Sequence, residues 1–305
     1  MRIETVAILG AGAIGSYLID GLADKLGPNL WVVAEGQRAQ RLAREGVVVN
    51  GRHIGLNVRT AEQARGADAL FVNVKYGALR GLLEQIATVA GEDAVVVSTL
   101  NGVDSESIIE QRIGQGRALP SLMKLSVRRI GSESVYDPAV AQGLFIGEPD
   151  GRPSERTAAV QELFEGGAVR CHVSDDILRE QWQKFALNVS RNLPQAILNC
   201  GFGAYSASAH VERMGAALRE EVVAVAAARG IDISGPSAVG TNSPLPPDAR
   251  FSTLQDLDAG RSTEIDMFSG AVVAMGAQLG VPTPVNEFVY HAVKALEEKN
   301  AGVFS

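Results

Sequence analysis

The run Gly10-Ala11-Gly12-Ala13-Ile14-Gly15 constrains this chain more than any other stretch. It follows residues 5–9, a short apolar run that reads as a strand, and it opens residues 13–25, which have helical period. In such a G-x-G-x-x-G turn the first glycine permits the tight bend and the second lets the backbone approach a pyrophosphate. The third lets helix and strand pack closely, while the helix N-terminus supplies amide donors and positive potential. Glycine-rich turns are common, so the motif alone is weak. Strand, motif and helix in this order predict a dinucleotide site made by Gly10, Ala11, Gly12, Ala13, Ile14 and Gly15.

The first half continues the alternation. Residues 30–34, 69–74 and 94–99 read as buried strands, and residues 77–90 and 104–112 as helices between them. Residues 47–50 and 53–58 flank Asn50-Gly51, a dipeptide suited to a tight hairpin. The pattern predicts an α/β fold with a doubly wound parallel sheet, a Rossmann domain, closed by strands at 144–146 and 168–173. Near Ser174-Asp175-Asp176 the period changes, and residues 177–198, 207–229, 264–279 and 285–299 all read as helices. Residues 234–247, rich in Ser, Gly and Pro, read as a loop. The expected division is a dinucleotide-binding domain, 1–174, and an all-helical substrate and catalytic domain, 175–305; a length of 305 residues suits two domains.

Composition removes several functions. Lys and Arg number 28 against 35 Asp and Glu, a net charge of −7, which argues against nucleic acid as a partner. The two cysteines, Cys171 and Cys200, have no metal-ligand spacing and make no disulfide framework, so no metal is expected and a reducing, cytoplasmic setting is the simplest. No apolar run approaches the ~18 residues needed to span a bilayer, so no membrane role is expected. Apolar helices such as 270–279 suit either a core or the surface of a homodimer.

Glu35 falls 20 positions after Gly15, where an acidic residue hydrogen-bonds the adenosine ribose and repels a 2′-phosphate. That favours NAD(H). Arg38 and Arg41 follow, and would suit NADP(H) if Glu35 turned away. In the second half, Lys184, Asn188 and Asn192 recur at intervals of four, which on a helix turns them by only about 40° per step. A snorkelling Lys with two exposed Asn is the bland reading. A lysine flanked by amides is also what anchors a carboxylate or donates to a developing alkoxide.

Here the chain resembles the ketopantoate reductase family, and the matching pieces run almost end to end. They are GAGAIG, VNVKYG with Lys75, LNG with Asn101, QWQKFALNVSRN, FSTLQDLDAGRSTEID with Ser252 and Glu264, and GVPTPVN closing at Asn286. The combination of W-x-K-x-x-x-N-x-x-x-N with S-x-L-Q-D and T-E-I-D is restrictive. The resemblance implies a helical second domain like that of 6-phosphogluconate dehydrogenase, and NAD(P)H-dependent reduction of a 2-oxo acid, 2-dehydropantoate to pantoate. Lys184 would be the general acid, with Glu264 near the reacting groups and the cofactor. Asn188, Asn192 and Ser252 would bind substrate, Asn101 cofactor and substrate, and Lys75 cofactor.

Each of these has a simpler alternative. Glu264 could be a first-turn acid, Ser252 a capping residue with Gln255 as its capping-box partner, Asn101 part of a turn, and Lys75 a solvated strand-end charge. Departures from the family pattern bear on the substrate. Glu35 stands where many members have Arg, and Phe202 stands where some have a substrate-contacting Asn. Ala249-Arg250-Phe251 also replaces a more polar set. These changes suit an NAD-dependent D-2-hydroxyacid dehydrogenase for branched or aromatic 2-oxo acids. A non-catalytic nucleotide-binding regulator is the third reading, and it has no need for Lys184, Asn188 and Glu264 together.

Overall fold

A computed structural model describes residues 1–235 and 245–305, so most of the 234–247 loop lies outside the described residues. The chain divides into two compact units, Met1–Ile177 and Leu178–Ser305.

The first unit is α/β. Its strands are β1 (Val6–Leu9), β2 (Leu30–Val33), β3 (Val47–Val49), β4 (Arg52–Ile54), β5 (Asn57–Arg59), β6 (Ala69–Val72), β7 (Val95–Ser98), β8 (Ala118–Leu119), β9 (Ser121–Lys124), β10 (Val127–Ile130), β11 (Glu133–Tyr136), β12 (Gly143–Ile146) and β13 (Cys171–Val173). Its helices are α1 (Ala13–Leu26), α2 (Gly36–Glu45), α3 (Tyr76–Leu79), α4 (Leu83–Ala90), α5 (Ser105–Ile113) and α6 (Glu155–Phe164). Six strands form a parallel sheet in the order β5-β2-β1-β6-β7-β8, the Rossmann order, with β1 central. Every residue of β1, β2, β6 and β7 is buried, as expected of a sheet covered on both faces.

The Asn50-Gly51 hairpin forms as its chemistry requires. Both residues have positive φ, 46° and 78°, and the Asn50 side chain pairs with the Tyr136 backbone on both sides. One expectation needs correction. Residues 53–58 are not one strand, because the chain leaves the hairpin at Gly55-Leu56. Residues 57–59 then join the parallel sheet while 52–54 stay in a four-stranded sheet, β10-β11-β3-β4. The runs at 144–146 and 168–173 hold strands of the first unit. Their strands β12 and β13 lie side by side in a separate sheet with β9.

The second unit is helical: α7 (Ile177–Leu198), which begins at the unit boundary, α8 (Ala204–Ala207), α9 (Ala209–Ala228), α10 (Ser252–Asp258), α11 (Ala271–Leu279) and α12 (Pro284–Asn300). On α7, Trp182, Phe185, Val189 and Leu193 form a buried stripe. Helix α7 holds a proline, Pro194, which has no N–H for the Ser190 carbonyl. The Tyr205 hydroxyl stands 3.4 Å from that carbonyl and donates to the Arg191 carbonyl at 2.5 Å. Burial pushes the Tyr205 hydroxyl above its ordinary pKa, which keeps it a donor. The predicted helix at 264–279 instead begins as a π-turn over Asp266–Gly270 and then continues as α11.

Candidate active site

The glycines after β1 differ in what demands them. A Cβ on Gly10, whose φ is +104°, would lie 2.6 Å from the Asn73 carbonyl oxygen, and one on Gly15 would lie 1.9 Å from the Gly10 oxygen. Those two positions are fixed by packing inside the protein. A Cβ on Gly12 would meet nothing within 4 Å. Gly12 is also the N-cap of α1, with no side-chain cap and no acidic residue in the first turn. The space at Gly12 is thus open among the described residues, and the uncapped N-terminus of this 14-residue helix suits an anionic diphosphate.

Around this turn, Asn73 was missed by sequence reasoning. It follows β6, bonds through its N–H to the Leu9 carbonyl, and accepts from Thr99 Oγ1 at 2.5 Å through its side chain. Its place in VNVKYG was the available signal. Lys75 is the exposed N-cap residue of α3, and Asn101 sits half-buried in the bend between β7 and α5. Both lie at the carboxyl ends of parallel strands, the edge at which such sheets hold ligands. Glu35 is exposed at the N-cap of α2, and its Oε1 accepts the Ala61 N–H at 3.1 Å. Arg38 and Arg41 are exposed on α2.

In the helical unit, the stripe Lys184, Asn188, Asn192 continues to Gln195. Burial deepens along it: Lys184 and Asn188 are half-buried, Asn192 is buried, and Gln195 is wholly enclosed. Asn192 Nδ2 lies 3.5 Å from Ser252 Oγ, a long contact that brings together two predicted site residues sixty positions apart. Ser252 does not cap α10: Phe251 is the N-cap residue, no side-chain cap is present, and Gln255 bonds to the Arg250 carbonyl instead. The capping-box alternative is thereby removed. The rings of Phe202 and Phe251 meet edge to face at 5.7 Å.

Glu264 is half-buried just ahead of the π-turn, and its carbonyl accepts the Met267 and Phe268 N–H groups. Phe268 packs on Phe185 with ring centres 6.4 Å apart, so the turn after Glu264 rests on the residue beside Lys184. The π-turn is anchored from below as well. Ser269 donates to Asn286 Oδ1 at 2.9 Å, and Asn286 Nδ2 donates to Glu221 at 2.8 Å. Glu221 also accepts the Val285 and Asn286 N–H groups, closing the N-terminus of α12. Among the described residues no His, Cys, Asp and Glu group is placed to hold a metal, and no helix is long and apolar enough to cross a membrane.

A six-stranded Rossmann sheet with an uncapped glycine turn, joined in sequence to a helical unit, accords with the class to which the chain's relatives assign it, the nicotinamide-dependent oxidoreductases. Its sequence then places it in a family. Residues 6–151 match the model of ketopantoate reductase PanE/ApbA and residues 176–297 that of its C-terminal part, so the chain belongs to the ketopantoate reductase family. A 2-dehydropantoate 2-reductase of Archaeoglobus fulgidus is 29% identical, over 97% of this chain and 99% of its own. The PanE/ApbA family ketopantoate reductase from Ralstonia eutropha superposes with a TM-score of 0.82 at 25% identity, covering 97% of this chain and 99% of its own. A D-mandelate dehydrogenase solved with NADH and anilino(oxo)acetate shares the fold, with a TM-score of 0.81 at 21% identity and the same coverage.

Proposed function

We propose that this chain reduces a 2-oxo acid to the 2-hydroxy acid, with 2-dehydropantoate as its substrate and Lys184 as the general acid. The reading is carried by the contact of Asn192 with Ser252 at the buried end of the stripe that begins at Lys184. Gly10 to Gly15, Lys75, Asn101 and Glu264 would hold the dinucleotide, which when bound supplies the hydride. Asn188, Asn192 and Ser252 orient the substrate through neutral hydrogen bonds. Asn101 holds the cofactor near the substrate, and Lys184 gives a proton to the C2 oxygen as charge develops there.

NAD(H) is the proposed cofactor, because Glu35 is fixed at the end of β2 by the Ala61 N–H. Replacement by Gln keeps that acceptor and removes the charge, so Glu35→Gln is expected to raise the NADPH-to-NADH ratio of kcat/KM. An unchanged ratio would remove Glu35 from cofactor choice.

A second reading keeps the chemistry and enlarges the substrate: a D-2-hydroxyacid dehydrogenase for aromatic 2-oxo acids. It is favoured by the Phe202–Phe251 pair next to Ser252. Steady-state kcat/KM for 2-dehydropantoate, 2-oxoisovalerate and phenylglyoxylate, each with NADH and NADPH, separates the two. Poorer turnover of 2-dehydropantoate than of phenylglyoxylate would overturn the first reading.

A further inference from the structure

Residues 249–251 lead straight into Ser252, and α10 has no side-chain cap to fix where it begins. Gln195 performs that task from another helix. Its Nε2 donates to the Ala249 carbonyl at 3.1 Å, and its Oε1 accepts the Phe251 N–H at 3.0 Å. The side chain is 0% exposed, so neither end of the amide can exchange these partners for water. The Ala249 carbonyl also accepts the Phe202 N–H at 3.0 Å, and Arg250 donates to Asn199 Oδ1 at 2.5 Å. One buried amide thus aligns the strip as a strand partner would. It sets the start of α10, and with it the Ser252 hydroxyl facing Asn192 and the Phe251 ring facing Phe202.

We propose that Gln195 is a positioning residue for substrate selection: through the 249–251 strip it places Ser252 beside Asn192 and Phe251 beside Phe202. It acts on the substrate only through those groups. The proposal rests on the reading of Asn192 and Ser252 as substrate contacts.

The test compares Gln195→Met, Gln195→Glu, Ser252→Ala and the Gln195→Met/Ser252→Ala double variant in the full chain. Met keeps the volume and removes both bonds. It is expected to raise KM for the preferred 2-oxo acid roughly tenfold, with kcat and the Kd for the dinucleotide nearly unchanged. In the Ser252→Ala background the same change is expected to add clearly less than its full tenfold, because the Ser252 route is already gone and only that through Phe251 is left.

Gln195→Glu supplies a readout that a purely structural role would not move. Its ionised carboxylate accepts from Phe251 but turns an oxygen on the Ala249 carbonyl, whereas the protonated acid restores the donor. KM of this variant, relative to the parent at each pH, is expected to fall as pH falls. If Gln195→Met does not fold, that pH series decides. An unchanged KM in a folded Met variant, additive effects in the double variant, or a pH-independent KM ratio in Gln195→Glu would each overturn the proposal. In all three cases the parent still turns over 2-oxo acids, which separates them from failure of the functional reading. Absence of any such turnover by the parent would overturn that reading and this proposal together.

Discussion

The turn after β1 and the polar stripe of α7 are built on opposite principles. The turn is built by missing side chains: Gly10 and Gly15 leave no room for a Cβ, and Gly12 leaves room that none of the described residues fills. The stripe is made of side chains that are present, from Lys184 to Gln195, and at its buried end Asn192 and Gln195 meet a distant segment. A site made of backbone is specified by local spacing. A site made of side chains is specified by what folds against it.

The sharpest challenge to that contrast is Lys184→Ala. It is expected to lower kcat by about 10²–10⁴-fold while leaving dinucleotide affinity intact. Equal losses of both would dissolve the division of labour. The next effect is in the turn. Gly15→Ala puts a methyl 1.9 Å from the Gly10 oxygen, and overpacking of this kind costs ~1–3 kcal/mol or more, read as a drop in the denaturation midpoint. Gly12→Ala meets nothing, so stability is expected to stay within ~0.5 kcal/mol while dinucleotide binding weakens. The reverse order would show that Gly12 is the structural glycine.

A third test addresses the support of the helical unit. Glu221→Ala strands the Val285 and Asn286 N–H groups and leaves Asn286 Nδ2 its 3.3 Å bond to the Leu218 carbonyl, at a cost of ~1–3 kcal/mol, measured by chemical denaturation. The smallest effect is in the α/β unit. There Arg156, with help from Ser154, holds the Glu148 carboxyl below the ordinary carboxylate pKa. A lowered folded pKa contributes stability that is present above the ordinary value and is lost as pH falls through the lowered one. Glu148→Gln is therefore expected to be less stable than the parent at pH 7 and to show a flatter acid limb. Parallel acid limbs for the two would deny the pair that role.

Much of the fold was legible because its signals are local. The bounds of α7, the Asn50-Gly51 hairpin and the strands around the glycine turn all follow from short-range period and turn chemistry. The small sheets were not legible. Strand β10 carries exposed Arg128 and Arg129, and no apolar run announces it. Gly55 splits what looked like one strand between two sheets. At the site, Ser252 and Gln255 had the spacing of a capping box, but Asn192, sixty positions away, meets the Ser252 side chain and the nearby Arg250 carbonyl takes that of Gln255. Gln195 gave no signal, since glutamine is an ordinary helix residue until its partners at 249 and 251 are known. The π-turn after Glu264 was hidden for the same reason: its anchor is Asn286, far along the chain.

Pro194 gives the long helix a further property. The rung it removes from the backbone ladder falls between Lys184 and Gln195, and the Tyr205 hydroxyl occupies its place from outside the helix. The proposed proton donor, Lys184, and the proposed substrate contacts thus share a helix but not an unbroken ladder. The far end can be retuned by substitutions around Gln195 and Tyr205 with less disturbance of the near end. Under the proposed function, a lineage could then alter which acid it reduces while keeping the groups that reduce it.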